Sequence, residues 1–219
     1  VISKALPYVG AGLVLTAIGT YGGLHILETN PGLFMPTFWV ALIASLVLFF
    51  ISSSVASKAN NSVALPLLAT FSLLEGYVLT GLVYVALQTP NVGVWGIGIA
   101  ALGCGITFIV ARQIGSNLSE KDGMALSRTI QLGIIALFVV LLIQLGFALF
   151  GVHTPSFLEV AISGIGVLLF VGAAVVDFFV LPRTYRDEQY LSAALSMYLT
   201  YINLFIFILR LLIALNSRD

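Results

Sequence analysis

Long apolar runs, broken by short polar turns, repeat along the whole chain. Seven are recognised, near residues 5–27, 38–54, 62–87, 95–114, 129–151, 157–181 and 191–215. Each is close to the roughly 17–25 residues that an α-helix needs to cross a bilayer. Turn and polar residues separate them: Thr29-Asn30-Pro31-Gly32, Ser52-Ser53-Ser54 through Asn60-Asn61, Thr89-Pro90-Asn91, Ser116 to Arg128, Val152-His153-Thr154-Pro155, and Pro182 to Tyr190. Prolines are expected near span ends or in loops, where a missing N–H is tolerated. The pattern predicts an all-α integral membrane protein, a single domain over 1–219 with seven transmembrane helices. Every predicted loop is short, so function is expected within or between the helices. The first run is too long for a signal-peptide core and lacks a small-residue cleavage site, so no cleavable leader is expected.

Composition agrees with this reading. Hydrophobic residues make up 60% of the 219 positions and charged residues 8%, too few to give a soluble chain of this length a solvated surface. The bilayer is therefore the expected partner of most of that surface. Nine basic residues balance nine acidic ones, which removes the electrostatic basis for binding nucleic acid. The single cysteine, Cys104, lies in an apolar run, and no intrachain disulfide is possible.

The basic residues predict an orientation. With the N-terminus in the cytoplasm, seven of the nine fall inside (Lys4, Lys58, Arg112, Lys121, Arg128, Arg183, Arg186) and two outside (Arg210 near a span end, and Arg218). That bias satisfies the positive-inside rule, and it places Trp39 and Trp95 at the outer interface. A multi-pass protein of a cell membrane, prokaryotic plasma membrane favoured, with its C-terminus outside, is expected. The fourth span is rich in glycine (Gly96, Gly98, Gly103, Gly105), which suits close helix packing. No internal repeat is evident, so the inverted-repeat architecture of many secondary transporters has no support.

Two carboxylates, Glu75 and Asp177, stand out within the spans. Intramembrane charge costs about 2.5–3.5 kcal/mol on insertion scales, so a functional role is the default, with a structural ion pair or hydrogen-bonded acid as the alternative. At about 1.5 Å per residue, Asp177 lies roughly 9 Å below the cytoplasmic face, Thr200 roughly 14 Å and Glu75 roughly 20 Å. If all three face inward they form a polar ladder suited to a cation or proton. Lys58, at the cytoplasmic end of the second span, is the natural partner of Asp177, with Arg183 and Arg186 as rivals. Such a pair would make a proton-sensitive latch.

Several chemistries are excluded. A retinal Schiff base needs a lysine in the last span, whereas the lysines are Lys4, Lys58 and Lys121. An intramembrane serine protease needs serine and histidine at one depth, yet His25 and His153 lie near outer span ends. A membrane aspartyl protease needs two facing aspartates and a Gly-x-Gly-Asp element, and Asp177 follows Ala173-Ala174-Val175-Val176. No phosphate loop, zinc spacing or haem-binding pair is present. An enzyme is not expected, nor is a resident cofactor.

The last two spans carry a specific signature. Asp177, the Arg183–Glu188 loop, Ala194-Leu195-Ser196-Met197-Tyr198-Leu199-Thr200-Tyr201-Ile202-Asn203-Leu204-Phe205 and Leu209-Arg210 together resemble the Bax inhibitor family. Thr70-Phe71 followed by Glu75-Gly76 in the third span agrees. The resemblance implies six helices around a central seventh and a pH-dependent calcium leak, as in bacterial members. It also implies a sensor made of two aspartates in the sixth and seventh spans, latched by a basic residue after the second. Carried over, these positions are Asp177, Thr200 and Lys58. Threonine in place of the second aspartate removes the carboxylate pair and leaves fewer hard oxygens for calcium, which prefers six to eight. Asp177 is then the candidate calcium ligand. Family members are also described as non-conducting regulators that bind other membrane proteins, such as a protease or channel, and this is the alternative function.

Overall fold

A computed structural model describes residues 1–217. Arg218, which the orientation reading counts, and Asp219 lie outside the described residues. The described chain is helical and has no strand. Seven helical stretches are long and apolar enough to cross a membrane: Ile2–Thr29, Pro31–Ser57, Asn61–Gln88, Gly93–Ser116, Glu120–Leu149, Ser156–Thr184 and Asp187–Asn216.

We number the helices α1 (Ile2–Thr29), α2 (Pro31–Ser57), α3 (Asn61–Val78), α4 (Thr80–Gln88), α5 (Gly93–Ser116), α6 (Glu120–Leu149), α7 (Ser156–Thr184) and α8 (Tyr190–Asn216). The third span is thus two helices meeting at Leu79. A 3₁₀ turn, Asp187–Gln189, leads into α8.

The helices outrun the apolar runs. Only Asn30 separates α1 from α2, because Pro31 occupies the first turn of α2, where a missing N–H costs nothing. The α6 helix starts at Glu120 rather than near 129. Ser119 caps it by accepting a hydrogen bond from the Asp122 N–H, and Glu120 and Asp122 complement the helix dipole. Pro7, Pro36 and Pro66 each lie about one turn inside their helices rather than in loops. The carbonyl each leaves unpaired is then in the helix's first turn, close to the polar interface. Positive φ occurs where the chain turns between spans, at Ala59, Asn91, Gly93 and Gly151.

The contacts divide into two compact units, one of Val1–Tyr84 with Leu181–Leu199, the other of Val85–Val180 with the chain from Thr200 onward. In the first unit α3 packs along both α1 and α2, which touch each other little. Ala56, Ala64 and Leu191 form one buried cluster of this unit. In the second, Cys104, Ile130, Leu137, Phe170, Ala173, Leu204 and Phe207 form the core. Of the seven spans α7 is the most enclosed and α6 the least.

Candidate ion pathway

In the first unit, small residues bring α1 and α3 into backbone contact. A Cβ on Gly76 would lie 1.9 Å from the Thr16 carbonyl oxygen, and one on Gly19 would lie 2.1 Å from that of Leu73. The approach lets hydroxyls reach across: Thr16 Oγ1 donates to the Ser72 carbonyl at 2.9 Å and Thr20 Oγ1 to the Gly76 carbonyl at 2.7 Å. Thr16 also shares a 2.5 Å hydrogen bond with the Tyr198 hydroxyl on α8. Such small-residue contacts with interhelical hydrogen bonds hold helices together where lipid supplies no hydrophobic drive.

Glu75 belongs to this polar patch. It is half-buried and lies next to Gly76, at the α1 contact. The Ser45 hydroxyl on α2 is its hydrogen-bond partner, and Tyr198 lies near enough to sense its charge. Ser45 is itself 1% exposed, and its hydroxyl also donates to the Leu42 carbonyl at 2.8 Å. Lys58 and Arg183 fall in the same unit, both exposed at helix ends, Lys58 as the C-terminal cap of α2 and Arg183 in the last turn of α7.

Asp177 and Thr200 fall in the second unit, each 8% exposed. Close approaches fix the α7 backbone around Asp177. A Cβ on Gly115 of α5 would sit 2.3 Å from the Val175 carbonyl oxygen, and one on Gly123 of α6 would sit 2.3 Å from the Phe179 ring. Phe108 meets Phe178 edge-on at 6.0 Å and packs against Tyr201 at 5.3 Å. The Tyr201 hydroxyl donates to the Ala101 carbonyl at 2.8 Å, which anchors α8 beside Thr200. Asp177 is thus a buried carboxylate on the most enclosed span, held in place by small-residue contacts on both sides.

A polar group that the sequence reading did not recognise lies elsewhere in this unit. Glu159, in the first turn of α7, pairs with Arg210 of α8 at 3.1 Å, their side chains 27% and 22% exposed. Gln144 of α6 donates to the Glu159 carboxylate and to Thr154 Oγ1 at 2.9 Å, and Arg210 donates to the Gln144 side-chain Oε1 at 3.4 Å. Glu159 lies in the third position of the sixth apolar run, at its very edge, where a charge reads as an interfacial residue. Its signal was a carboxylate and a guanidinium at neighbouring depths on consecutive antiparallel spans. Among the described residues no three His, Cys, Asp or Glu side chains gather to hold a metal ion.

Seven membrane-crossing helices with carboxylates in their interior define a polytopic membrane protein, and the comparisons with known proteins specify its kind. The family described as "Inhibitor of apoptosis-promoting Bax1" matches residues 1–218, and the chain belongs to this Bax inhibitor family. It is 29% identical to an uncharacterized membrane protein of Streptococcus pyogenes serotype M1 over 95% of this chain and 90% of that protein. It is 27% identical to an uncharacterized protein of Deinococcus radiodurans over 100% of this chain and 90% of that protein. A shorter stretch, 32% of this chain and 26% of its partner, is 36% identical to Bax inhibitor 1 of Schizosaccharomyces pombe.

Proposed function

We infer that this member of the family is a pH-sensitive cation leak pathway, calcium favoured, with Asp177 as the carboxylate that cations meet and that protons compete for. The observation that supports it is the burial of Asp177, 8% exposed, on the most enclosed membrane-crossing helix. A carboxylate is kept at such a place against a cost of several kcal/mol, and intramembrane acids mark ion and proton routes. Thr200, buried in the same unit, supplies an oxygen in place of the second acid that the family resemblance leads one to expect. Calcium at Asp177 would complete its shell from hydroxyls, carbonyls and water, a weak site that suits passage better than storage. Glu75 with Ser45 is the polar station of the other unit, and Lys58 and Arg183 are the basic residues proposed to latch the carboxylate. The orientation, N-terminus in the cytoplasm, is part of this proposal.

Purified protein in calcium-dye-loaded liposomes, assayed between about pH 5 and 8, tests the reading. Asp177→Asn is expected to change the flux and flatten its pH dependence. A flux-versus-pH curve identical to that of the parent removes Asp177 from the pathway.

A further inference from the structure

Glu159 and Asp177 are 18 residues apart on α7. At 3.6 residues per turn they emerge from one face of the helix, and at 1.5 Å per residue they lie about 27 Å apart, near opposite ends of a span. The residues between them on that face are Ser163, Gly166, Phe170 and Ala174, all buried. Ser163 is completely enclosed, and its hydroxyl makes no hydrogen bond within the described residues. A buried hydroxyl normally finds a partner, in protein or in water, so Ser163 marks a position where water is the fitting one. Beyond it the face closes. Phe207 of α8 lies where a Cβ on Gly166 would fall 2.3 Å from its ring, and it stacks on Phe170 at 5.6 Å with 16° between the rings.

Arg210 touches both parts of this closure. Its guanidinium stands 5.4 Å over the Phe207 ring and 3.1 Å from the Glu159 carboxylate, while Gln144 ties Glu159 and Arg210 to α6. One side chain thus holds the aromatic stack from above and neutralises the carboxylate that a cation would otherwise meet there.

We propose that Arg210, Glu159 and the Phe170–Phe207 stack form a gate that closes the α7 face at the end opposite Asp177. The gate rests on the reading of Asp177 as an ion pathway and names the device that keeps that pathway shut. A cation at Glu159 has to displace the guanidinium, and with Arg210 withdrawn from Phe207 the stack is free to turn aside. A pair that only glues α6, α7 and α8 together would leave Ser163 equally inaccessible whether or not it is intact.

The test uses accessibility, so it does not depend on flux. Cys104 is the sole cysteine, and Cys104→Ala provides a thiol-free parent into which Ser163→Cys is introduced. Proteoliposomes are exposed from each side in turn to a membrane-impermeant, cationic methanethiosulfonate reagent. The Ser163→Cys thiol is expected to react slowly with the pair intact. It should react at least tenfold faster from the Glu159 side alone in Arg210→Gln and in Glu159→Gln. The charge swap, Glu159→Arg with Arg210→Glu, should return the rate toward the parent's. Equal rates in all variants, or acceleration from both sides together, overturn the gate. So does failure of both single variants to elute as folded protein while the charge swap folds, which would make the pair purely structural. Calcium flux in the same vesicles separates the two claims. The labelling pattern without flux supports the gate and removes the conduction reading. Flux that responds to Asp177→Asn without the labelling pattern removes the gate alone.

Discussion

Replacing Gly76 by alanine puts a methyl group 1.9 Å from the Thr16 carbonyl oxygen, a distance at which the α1 and α3 backbones must separate. Overpacking of this kind costs about 1–3 kcal/mol. Separation also weakens the Thr16–Ser72 and Thr20–Gly76 hydrogen bonds, each worth about 0.6 kcal/mol on average between membrane helices. Against these stands the higher helix propensity of alanine, about 1 kcal/mol. The expected net loss is about 1–3 kcal/mol. Gly22→Ala, on the same contact-forming α1 helix, is the matched control, because a Cβ there has nothing within 4 Å. It should be neutral or stabilising by up to about 1 kcal/mol. Reversible unfolding in mixed micelles, with helicity followed by circular dichroism, measures both. Equal stability of Gly76→Ala and Gly22→Ala would refute the backbone contact on which the polar patch around Glu75 is built.

Other outcomes follow from the same geometry. Gly115→Val should displace α7 at Val175 and alter flux about as much as changes at Asp177 itself, while Gly105→Ala, with nothing within 4 Å, should not; parallel flux assays compare them. Thr200→Asp should move the midpoint of pH-dependent flux upward if the two side chains face each other, since neighbouring carboxylates titrate as a coupled pair and one is held protonated to higher pH; an unchanged midpoint in folded protein means that the two positions do not act together. Lys58→Gln should change the pH at which flux begins if Lys58 latches Asp177, and leave the curve untouched if it only marks the interface. Arg186→Ala should leave stability within about 0.5 kcal/mol, because its pair with Glu188, at 3.7 Å, is exposed on both sides.

The spans were legible because bilayer thickness imposes a length and an apolarity that few other structures share. The start of α6 was missed by hydropathy and yet is written in the chain, as a Ser119 cap ahead of Glu120 and Asp122. The meeting of α3 and α4 at Leu79 has no proline, and only Thr80 and Gly81 mark it within an otherwise apolar run. At the site, sequence gave depth but not neighbours. Glu75 was visible as an acid near mid-membrane, but its hydrogen bond to Ser45 and its nearness to Tyr198 depend on how α2, α3 and α8 pack. Asp177 stands out in the sequence as an acid deep in a span, whereas Glu159, at the edge of the same span, does not. The Arg210 pairing becomes evident only once antiparallel neighbours are set side by side.

The central claim, that the protein itself passes cations under the control of protons, is tested most directly by calcium entry into dye-loaded liposomes that contain the purified chain and no other protein. Entry is expected to scale with protein content, to change between about pH 5 and 8, and to lose that dependence in Asp177→Asn. Entry no faster than in protein-free liposomes at every pH, with the chain folded and inserted, would contradict conduction and leave a non-conducting regulator of other membrane proteins as the reading to pursue.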